Sequence, residues 1–144
     1  MQECLILMTS DQSDENMECF LAEELSHIFN KRGTIMIVCS DANDTDALIQ
    51  KVCCEKELPM CLFHTDFEKY GGKARRIRNY QIFEFAKIFD HVTIVSIGEK
   101  INSDYHYLTD LLANNKIAFS EQKLEMLDRC DVSEDIVEFW EDLW

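Results

Sequence analysis

The sequence predicts an α/β protein built on a mostly parallel sheet, and two patterns lead to this fold class. Short, nearly continuous apolar runs alternate along the chain with stretches whose apolar residues recur at helical spacing. Runs such as "TIMIVCS" are typical of strands that are buried on both faces, as in parallel sheets covered by helices. A chain of 144 residues with 47% hydrophobic residues has the length and apolar content of one domain. These features predict a Rossmann-like three-layer sandwich with about five strands.

Each predicted element follows from its local pattern. The first helix carries Met17, Phe20 and Leu25 at helical spacing and is expected to end at Gly33, whereas Pro59 limits the second helix. The predicted strands are residues 4–8, 34–40, 60–65, 91–98 and 116–120. The predicted helices are residues 16–33, 45–57, 76–90 and 104–115, followed by a final helix after residue 120.

The final helix is expected to differ in character from the rest of the chain. Residues 1–130 are predicted to form the domain, and residues 131–144, "DVSEDIVEFWEDLW", form an acidic and aromatic C-terminal helix. Four apolar side chains share one face of that helix: Ile136, Trp140, Leu143 and Trp144. This face is expected to dock on the domain, on a second copy of the chain, or in a groove of a partner.

The charge balance limits the classes of partner. Twenty-eight acidic residues against 14 basic ones give a net charge of −14, which repels nucleic acid and makes it an unlikely partner. The same surface could instead attract a basic protein partner. No apolar run reaches the roughly 18 residues of a membrane span, and we expect no membrane partner. The start, "MQECLILM", is predicted to be a strand rather than a signal peptide.

The cysteines indicate a cytoplasmic protein. There are seven of them, an odd number, and no two form a C-x-x-C pair. Several lie within apolar runs, where a thiol behaves as a small hydrophobic group. A reducing compartment without a disulfide framework is therefore expected.

Ligands of doubly wound folds bind at the carboxyl ends of the strands, where the strand order reverses. The predicted strands here end in the polar segments "TSD", "SDANDTD", "HTD" and "SIGEKINSD". Strand–turn–helix units that hold phosphate usually have glycines at the turn, but the turn after the second strand has none. It could be a nucleotide site, a remodelled one, or a helix start capped by its own side chains.

One basic segment interrupts the acidic sequence. Five bases lie within residues 69–78 beside Gly71 and Gly72: Lys69, Lys73, Arg75, Arg76 and Arg78. Basic groups next to a flexible turn before a helix make an anion site plausible. The simpler interpretation is that these bases pair with acids of the same protein.

Three segments also carry a resemblance to a known family. The chain reads "SDANDTD" after the second strand, "KYGGKARRIRN" before the third helix and "NSD" after the fourth strand. In their order and spacing over residues 4–120, these segments resemble the SLOG (SMF/DprA–LOG) superfamily, specifically its YspA/YpsA-related branch of unknown function. That branch carries a Gly-Gly-Ala-x-Gly-Ala-Asp turn, a Tyr-Gly-Lys segment leading to an Arg-Asn pair, and a Ser-Gly-Thr-like turn. The resemblance implies a nucleotide-type pocket.

The departures from that pattern fall on its glycines. Ser40, Asp41 and Asp44 stand at glycine positions after the second strand, Arg75 stands before the Arg-Asn pair, and Asp104 stands in the last turn. Each change adds bulk, and most add negative charge, where backbone N–H groups would approach a phosphate. The residues that still suit a pocket are Ser10, Ser40, Asp41, Asp46, Lys73, Arg78, Asn79 and Ser103.

The first functional hypothesis is a domain that binds a nucleotide or a nucleotide-derived signal. The resemblance implies that Arg78 and Lys73 hold the anionic part, and Asn79 with Asp46 the ribose or base. The serines Ser10, Ser40 and Ser103 would line the pocket, with Asp41 at the turn. SLOG relatives are associated with signalling in microbial conflict, so a phage or host-defence context is expected. No further cofactor, metal or catalytic residue is assigned.

Two alternatives remain open. The lost glycines, the net charge and the acidic tail favour a non-catalytic interaction module, an inhibitor or adaptor on a degenerate SLOG scaffold, which could form homo-oligomers. The other alternative is an enzyme, such as a nucleotide N-glycosidic hydrolase, but the Pro-Gly-Gly-x-Gly-Thr motif of related hydrolases is missing. Loop aspartates gathering a divalent metal, or acid–base chemistry at His64 and His106, are the remaining catalytic possibilities.

Overall fold

A computed structural model describes residues 2–9, 16–32, 35–41, 43–98 and 103–124. It confirms the α/β prediction, because five parallel strands form one sheet in the order β3-β2-β1-β4-β5. The strands are β1 Glu3–Thr9, β2 Ile35–Ser40, β3 Met60–Phe63, β4 His91–Ile97 and β5 Ser120–Leu124. The helices are α1 Met17–Arg32, α2 Asp44–Glu55, α3 Phe67–Tyr70, α4 Ala74–Ala86 and α5 Ser103–Asn114.

Helices cover both faces of the sheet. Successive residues of a strand point to opposite faces, so the apolar run of β1 supplies two cores. Leu5 and Leu7 pack in a cluster with α1 and α2. Cys4 and Ile6 pack in a second cluster with α4 and α5. The sheet is therefore the middle layer of a three-layer sandwich.

The predicted position of the fifth strand was wrong. The strand was expected at residues 116–120, with a helix beginning after it, but β5 is Ser120–Leu124 and pairs in parallel with β4. Ile117 and Phe119, which suggested a strand by their apolar character, instead pack against the cluster beneath α4 and α5. Packing of the segment that connects α5 to β5, rather than strand pairing, explains why these residues are apolar.

A short helical segment that the sequence did not reveal precedes α4. Asp66 caps α3 by accepting a 3.1 Å hydrogen bond from the backbone N–H of Lys69. Gly71 then adopts φ +58°, and a 3₁₀ turn over Gly71–Lys73 leads directly into α4. This turn starts α4 two residues before the predicted start at residue 76, at the carboxyl edge of the sheet.

Two helices end without glycine in the left-handed position that commonly terminates a helix. Glu57 after α2 has φ 55°, and Lys116 after α5 has φ 59°. In the second case the Ile117 N–H bonds to the Leu112 carbonyl at 2.9 Å and the Lys116 N–H to the Ala113 carbonyl at 3.1 Å. These two bonds form a Schellman motif, in which glycine avoids the steric cost that a side chain incurs.

We therefore expect Lys116→Gly to raise the free energy of unfolding by roughly 0.5–1 kcal/mol, because the left-handed conformation strains L-residues. Ala113→Gly, at an exposed position within the same helix, should lower it by about 1 kcal/mol. Urea unfolding of the two variants and the parent chain measures both changes. A loss of stability in Lys116→Gly would contradict the assigned helix end.

The cysteine and membrane expectations can be compared with the described residues. Cys4, Cys19, Cys39, Cys53, Cys54 and Cys61 are all free thiols. In the part of the chain that the structure describes, none of the helices is both long and apolar enough to cross a membrane. The predicted helix end at Gly33 lies outside the described residues, and so do residues 125–144, which include the predicted C-terminal helix.

Candidate functional site

The strand order places the reversal point of the sheet between β1 and β4. The chain runs from β1 outward to β3 and then returns to β4 on the other side of β1. In open parallel sheets, the crevice at the carboxyl ends of two such strands is where ligands bind. Nine polar side chains meet here and are called the edge cluster: Thr9, Ser40, Asn43, Asp46, Thr65, Arg75, Arg78, Asn79 and Asp104.

Asp46 organises one half of the edge cluster. It lies in the first turn of α2 and its side chain is fully buried. Its two carboxylate oxygens accept hydrogen bonds from the Thr9 hydroxyl at 2.8 Å and the Ser40 hydroxyl at 2.7 Å. The β1 and β2 strand ends are thereby tied to the start of α2, where the helix dipole favours a negative charge.

The N-cap of α2 is Asn43 rather than an aspartate. Its side-chain oxygen accepts the Asp46 backbone N–H at 2.9 Å, and its amide donates to the Thr9 hydroxyl at 2.9 Å. An asparagine cap satisfies a free N–H group of the first helical turn, which is the type of group that cradles a phosphate in glycine-rich turns. The turn that lacks glycine is therefore, in its described part, a helix start capped by its own side chain.

Arg78 organises the other half. Its side chain is 2% exposed, although it carries a permanent charge. The guanidinium donates to the Thr65 hydroxyl at 2.9 Å and to the Asn79 side-chain oxygen at 2.9 and 3.2 Å, and it lies 3.2 Å from a carboxylate oxygen of Asp104. These contacts satisfy a buried charge that would otherwise be costly.

Asp104, at the start of α5, joins Arg78 to the neighbouring Arg75. One carboxylate oxygen accepts from Arg75 at 2.9 Å and the other from the Asn79 amide at 3.0 Å. Burial raises the pKa of Asp104, but the charge of Arg78, followed by the Asn79 and Arg75 contacts, outweighs it, so the pKa lies below its ordinary value. Its stabilising contribution is therefore present above the unfolded-state pKa and is lost as the pH falls through the folded-state pKa.

A second acid–base pair extends the network to β3. Asp41 accepts the Thr65 backbone N–H at 2.7 Å and pairs with Nδ1 of the exposed His64. Burial opposes ionisation of Asp41, yet hydrogen bonds from His64 and Thr65 bring its pKa below the ordinary value. Through Thr65, this pair connects to Arg78.

The hydrogen bond with Asp41, followed by the charge of that carboxylate, raises the pKa of His64 above its ordinary value of 6.5. The pair therefore stabilises the fold below the unfolded-state pKa of histidine, and this contribution disappears as the pH rises through the folded-state value. We expect Asp41→Asn to return the His64 pKa toward 6.5, whereas Asp44→Asn, at an exposed position of α2, should leave it unchanged. NMR titration of the imidazole protons measures this, and equal values in the parent and Asp41→Asn would contradict the pairing.

The described side chains of the edge cluster nearly fill the crevice. The cavity between Met8, Thr9, Ser40, Arg75 and Asp104 has a volume of about 10 Å³. That volume is about the minimum that admits one water molecule. No buried side-chain nitrogen or oxygen among the described residues lacks a hydrogen-bond partner. A ligand must therefore bind at the mouth of the crevice or displace an existing contact.

The structure brings together some of the residues selected from the sequence. Ser40, Asp46, Arg78 and Asn79 belong to the edge cluster, and Asp41 borders it. Lys73 and Ser103 are exposed at the starts of α4 and α5. Ser10 and the tail residues Ile136, Trp140, Leu143 and Trp144 lie outside the described residues. The ligand-binding roles of all these residues stay predictions.

Sequence reasoning did not select Thr9, Asn43, Thr65, Arg75 or Asp104 as site residues. Arg75 was noted as one of the five bases of the basic segment and Asp104 as one of the loop aspartates, but the two were not paired with each other, although they form a charge pair across 29 positions. Opposite charges at two turns of one predicted edge were the signal that could have revealed the pair.

The aspartates do not form a metal cluster in the part of the chain described. No group of three or more histidine, cysteine, aspartate or glutamate side chains within it has the arrangement of a metal site. Asp41 and Asp104 instead accept hydrogen bonds from His64 and Arg75, respectively.

Comparison with known proteins adds no relative: no protein-family model, curated protein or solved structure matches this chain. The function is therefore argued from the geometry of the edge cluster.

Proposed function

We propose that this protein binds a nucleotide or a nucleotide-derived signalling molecule at the mouth of the edge cluster. The observation that supports this most strongly is the convergence of two arginines, Arg75 and Arg78, on a single carboxylate of Asp104. The half-exposed guanidinium of Arg75 lies at the point where ligands of doubly wound sheets bind, in a crevice whose charges balance, with Arg75 and Arg78 against Asp46 and Asp104. The resemblance to the SLOG superfamily is consistent with this class of ligand.

Arg75 is the arginine that we assign to the ligand. Its side chain is 47% exposed and forms an ion pair with Asp104, whereas Arg78 is enclosed by Thr65, Asn79 and Asp104. An incoming phosphate group can replace the Asp104 carboxylate as the partner of Arg75, while Asp104 keeps its contacts with the buried Arg78 and Asn79. Arg78 then keeps Asp104 ionised and in place beneath the bound anion.

The other polar residues support the mouth of the crevice. Asp46 and Ser40 hold the β2 turn through a buried hydrogen bond, so their role in this proposal is to position the turn. Lys73, exposed two residues before Arg75, supplies a second mobile cation for a diphosphate or longer anion. Ser103 lies next to Asp104 at the start of α5, and in this proposal its hydroxyl forms a hydrogen bond with the ribose.

A thermal-shift panel tests the proposal. The panel contains mononucleotides, dinucleotides, NAD and its cyclic ADP-ribose products, and cyclic oligonucleotides, each with and without magnesium. A ligand at about 100 times its dissociation constant should add roughly 2.7 kcal/mol to the stability. Arg75→Gln should abolish the shift, while Lys56→Gln, a matched loss of one exposed cation on the α2 side, should preserve it. A full shift retained in Arg75→Gln would contradict the assignment.

A second candidate function is a non-catalytic interaction module for a basic protein. The observation that favours it is the small volume of the crevice, about 10 Å³, since a closed pocket leaves the acidic surface as the main recognition feature. A flat response across the whole panel, together with a purified basic partner that binds the chain in a salt-dependent manner, would support this function over the first.

The proposal includes no catalytic step. The three carboxylates of this region, Asp41, Asp46 and Asp104, each accept hydrogen bonds from groups of the protein itself. A glycosidic hydrolase needs a carboxyl group that can reach the substrate as acid or nucleophile.

A further inference from the structure

A groove separate from the edge cluster lies on the outer surface between α4 and α5. It has a volume of about 560 Å³ and is lined by Lys73, Arg76, Ile77, Tyr80, Gln81 and Tyr107. We call it the basic–aromatic groove. Its size is that of a cleft that accepts side chains of a peptide or a small ligand.

The lining of this groove combines positive charge with aromatic surface. Arg76 lies over the ring of Tyr107, with 5.8 Å between the guanidinium carbon and the ring centroid. The Tyr80 side chain is 48% exposed although its ring contacts Phe83. The groove has two cationic residues and no carboxylate in its lining, on a chain whose net charge is −14. Such a surface fits an occupant that carries both acidic and aromatic groups.

The chain itself contains a segment of that chemistry. Residues 131–144 have six acidic residues and no basic ones, and they include both tryptophans of the protein, Trp140 and Trp144. We propose that residues 131–144 dock in the basic–aromatic groove of the same molecule, with the tryptophans against Tyr80 and Tyr107 and the acids toward Lys73 and Arg76. This inference does not depend on the proposed ligand.

The chain leaves the sheet at the edge where the groove helices begin. β5 ends at Leu124 on the carboxyl edge of the sheet, the edge at which α4 and α5 also begin. The six residues 125–130 span up to about 20 Å when extended, and docking requires them to bridge Leu124 and the groove without crossing the sheet. A helix of 14 residues is about 21 Å long, comparable to the 13-residue α4 along which it would lie.

The apolar contacts should supply most of the affinity, and the charges should select the site. Exposed ion pairs each contribute little, whereas burial of a tryptophan removes a large apolar area from water. Glu84, one turn beyond Tyr80, borders the groove: it accepts a hydrogen bond from the Tyr80 hydroxyl and pairs with Lys87 at 2.8 Å. Its charge is thus balanced by Lys87, and its ion pair is not with Lys73 or Arg76.

The two tryptophans make the proposal directly measurable in the full-length chain, because their fluorescence reports on this segment alone. In the parent chain we expect blue-shifted emission and protection from acrylamide. Lys73→Glu/Arg76→Glu should shift the emission to longer wavelength and raise quenching toward that of the urea-unfolded chain. Lys31→Glu/Lys56→Glu makes the same charge change at exposed positions of α1 and the α2 end and should leave both readings unchanged.

A charge exchange separates direct contact from a general effect of charge. Glu138→Lys/Glu141→Lys, combined with Lys73→Glu/Arg76→Glu, should restore the protection that the groove variant loses. Equal emission and quenching in the parent and the groove variant would overturn the proposal, as would equal effects of the groove and control variants. Protection that depends on protein concentration would also overturn it, because the occupant would then be the segment of a second copy.

Discussion

Replacement of Arg78 with methionine is expected to lower the free energy of unfolding by about 3–5 kcal/mol, because it removes one partner of a buried ion pair. Methionine retains the apolar stem but removes the buried guanidinium 3.2 Å from Asp104, which then keeps only the half-exposed Arg75 and the Asn79 amide as partners. It also removes the donors to Thr65 and Asn79, whose side chains are 5% and 0% exposed. An unsatisfied buried acceptor adds its own desolvation cost.

The control is Arg76→Met, two residues earlier on the same helix. Arg76 is exposed and its aromatic contact is with Tyr107, so its replacement should cost less than about 1 kcal/mol. Urea unfolding followed by far-ultraviolet circular dichroism measures both variants. Similar losses in the two variants would contradict the structural role that is assigned to Arg78.

A double variant tests whether Asp104 is the group that Arg78 stabilises. In Arg78→Met/Asp104→Asn both members of the buried ion pair are removed, so the loss should be smaller than the sum of the two single losses. Strict additivity would mean that Arg78 acts through other contacts.

The second large effect is expected for Asp46→Ala, which should lower the free energy of unfolding by about 2–4 kcal/mol. The carboxylate is fully buried and accepts the hydroxyls of Thr9 and Ser40. Each hydroxyl left without its acceptor costs about 1–3 kcal/mol, partly recovered by relaxation or a new water. The link between the ends of β1 and β2 is lost at the same time.

Asp44→Ala is the matched control for this variant. Asp44 is an aspartate in the same first turn of α2, but it is exposed, so its loss removes only a surface charge near the helix N-terminus. We expect a change of less than about 1 kcal/mol. Calorimetry of both variants measures the decrease in unfolding temperature that these losses of stability cause. Equal decreases would contradict the assignment of Asp46 as the buried anchor.

The sequence was sufficient for most of the fold because strand burial has a strong signature. The runs that became β1 and β2 are apolar at all but their end positions, and β4 has apolar residues on both faces, which predicts strands covered on both faces. β5 reads "SEQKL" and is largely exposed at the sheet edge, so its residues carry no such signature. Ile117 and Phe119, just before it, are apolar because they pack against the core cluster of α4 and α5, and the strand was therefore predicted at the wrong residues.

The site was harder to predict than the fold, because its contacts join distant positions. Arg78 and Asn79 were recognised from their local motif, but their partner Asp104 lies 25 positions after Asn79. Arg75 and Arg78 lie three residues apart and share a face of α4, so their spacing does not show which one is buried. Arg78 is buried, whereas Arg75, in the first turn of the helix, is half-exposed, and the position of that first turn was not visible in the sequence because a 3₁₀ turn precedes it.

The contacts of Asp41 and Asp104 give these aspartates a structural explanation. Asp41 anchors the β3 turn through Thr65, and Asp104 joins α5 to the two arginines of α4. Each lies where the resemblance places a glycine that would approach a phosphate. These side chains hold the turns together, and the anion-binding role that we propose belongs to Arg75 at the mouth of the crevice.

The most direct test of the account is a map of where the nucleotide panel binds. ¹⁵N-labelled protein is titrated with the panel members, AMP and NAD first, and amide chemical-shift changes are recorded residue by residue. The account predicts that the changes cluster at the carboxyl edge, around Thr9, Asp41, Arg75 and Asp104, and that they vanish in Arg75→Gln. Changes confined to another face of the protein, or no change with any panel member, would contradict it.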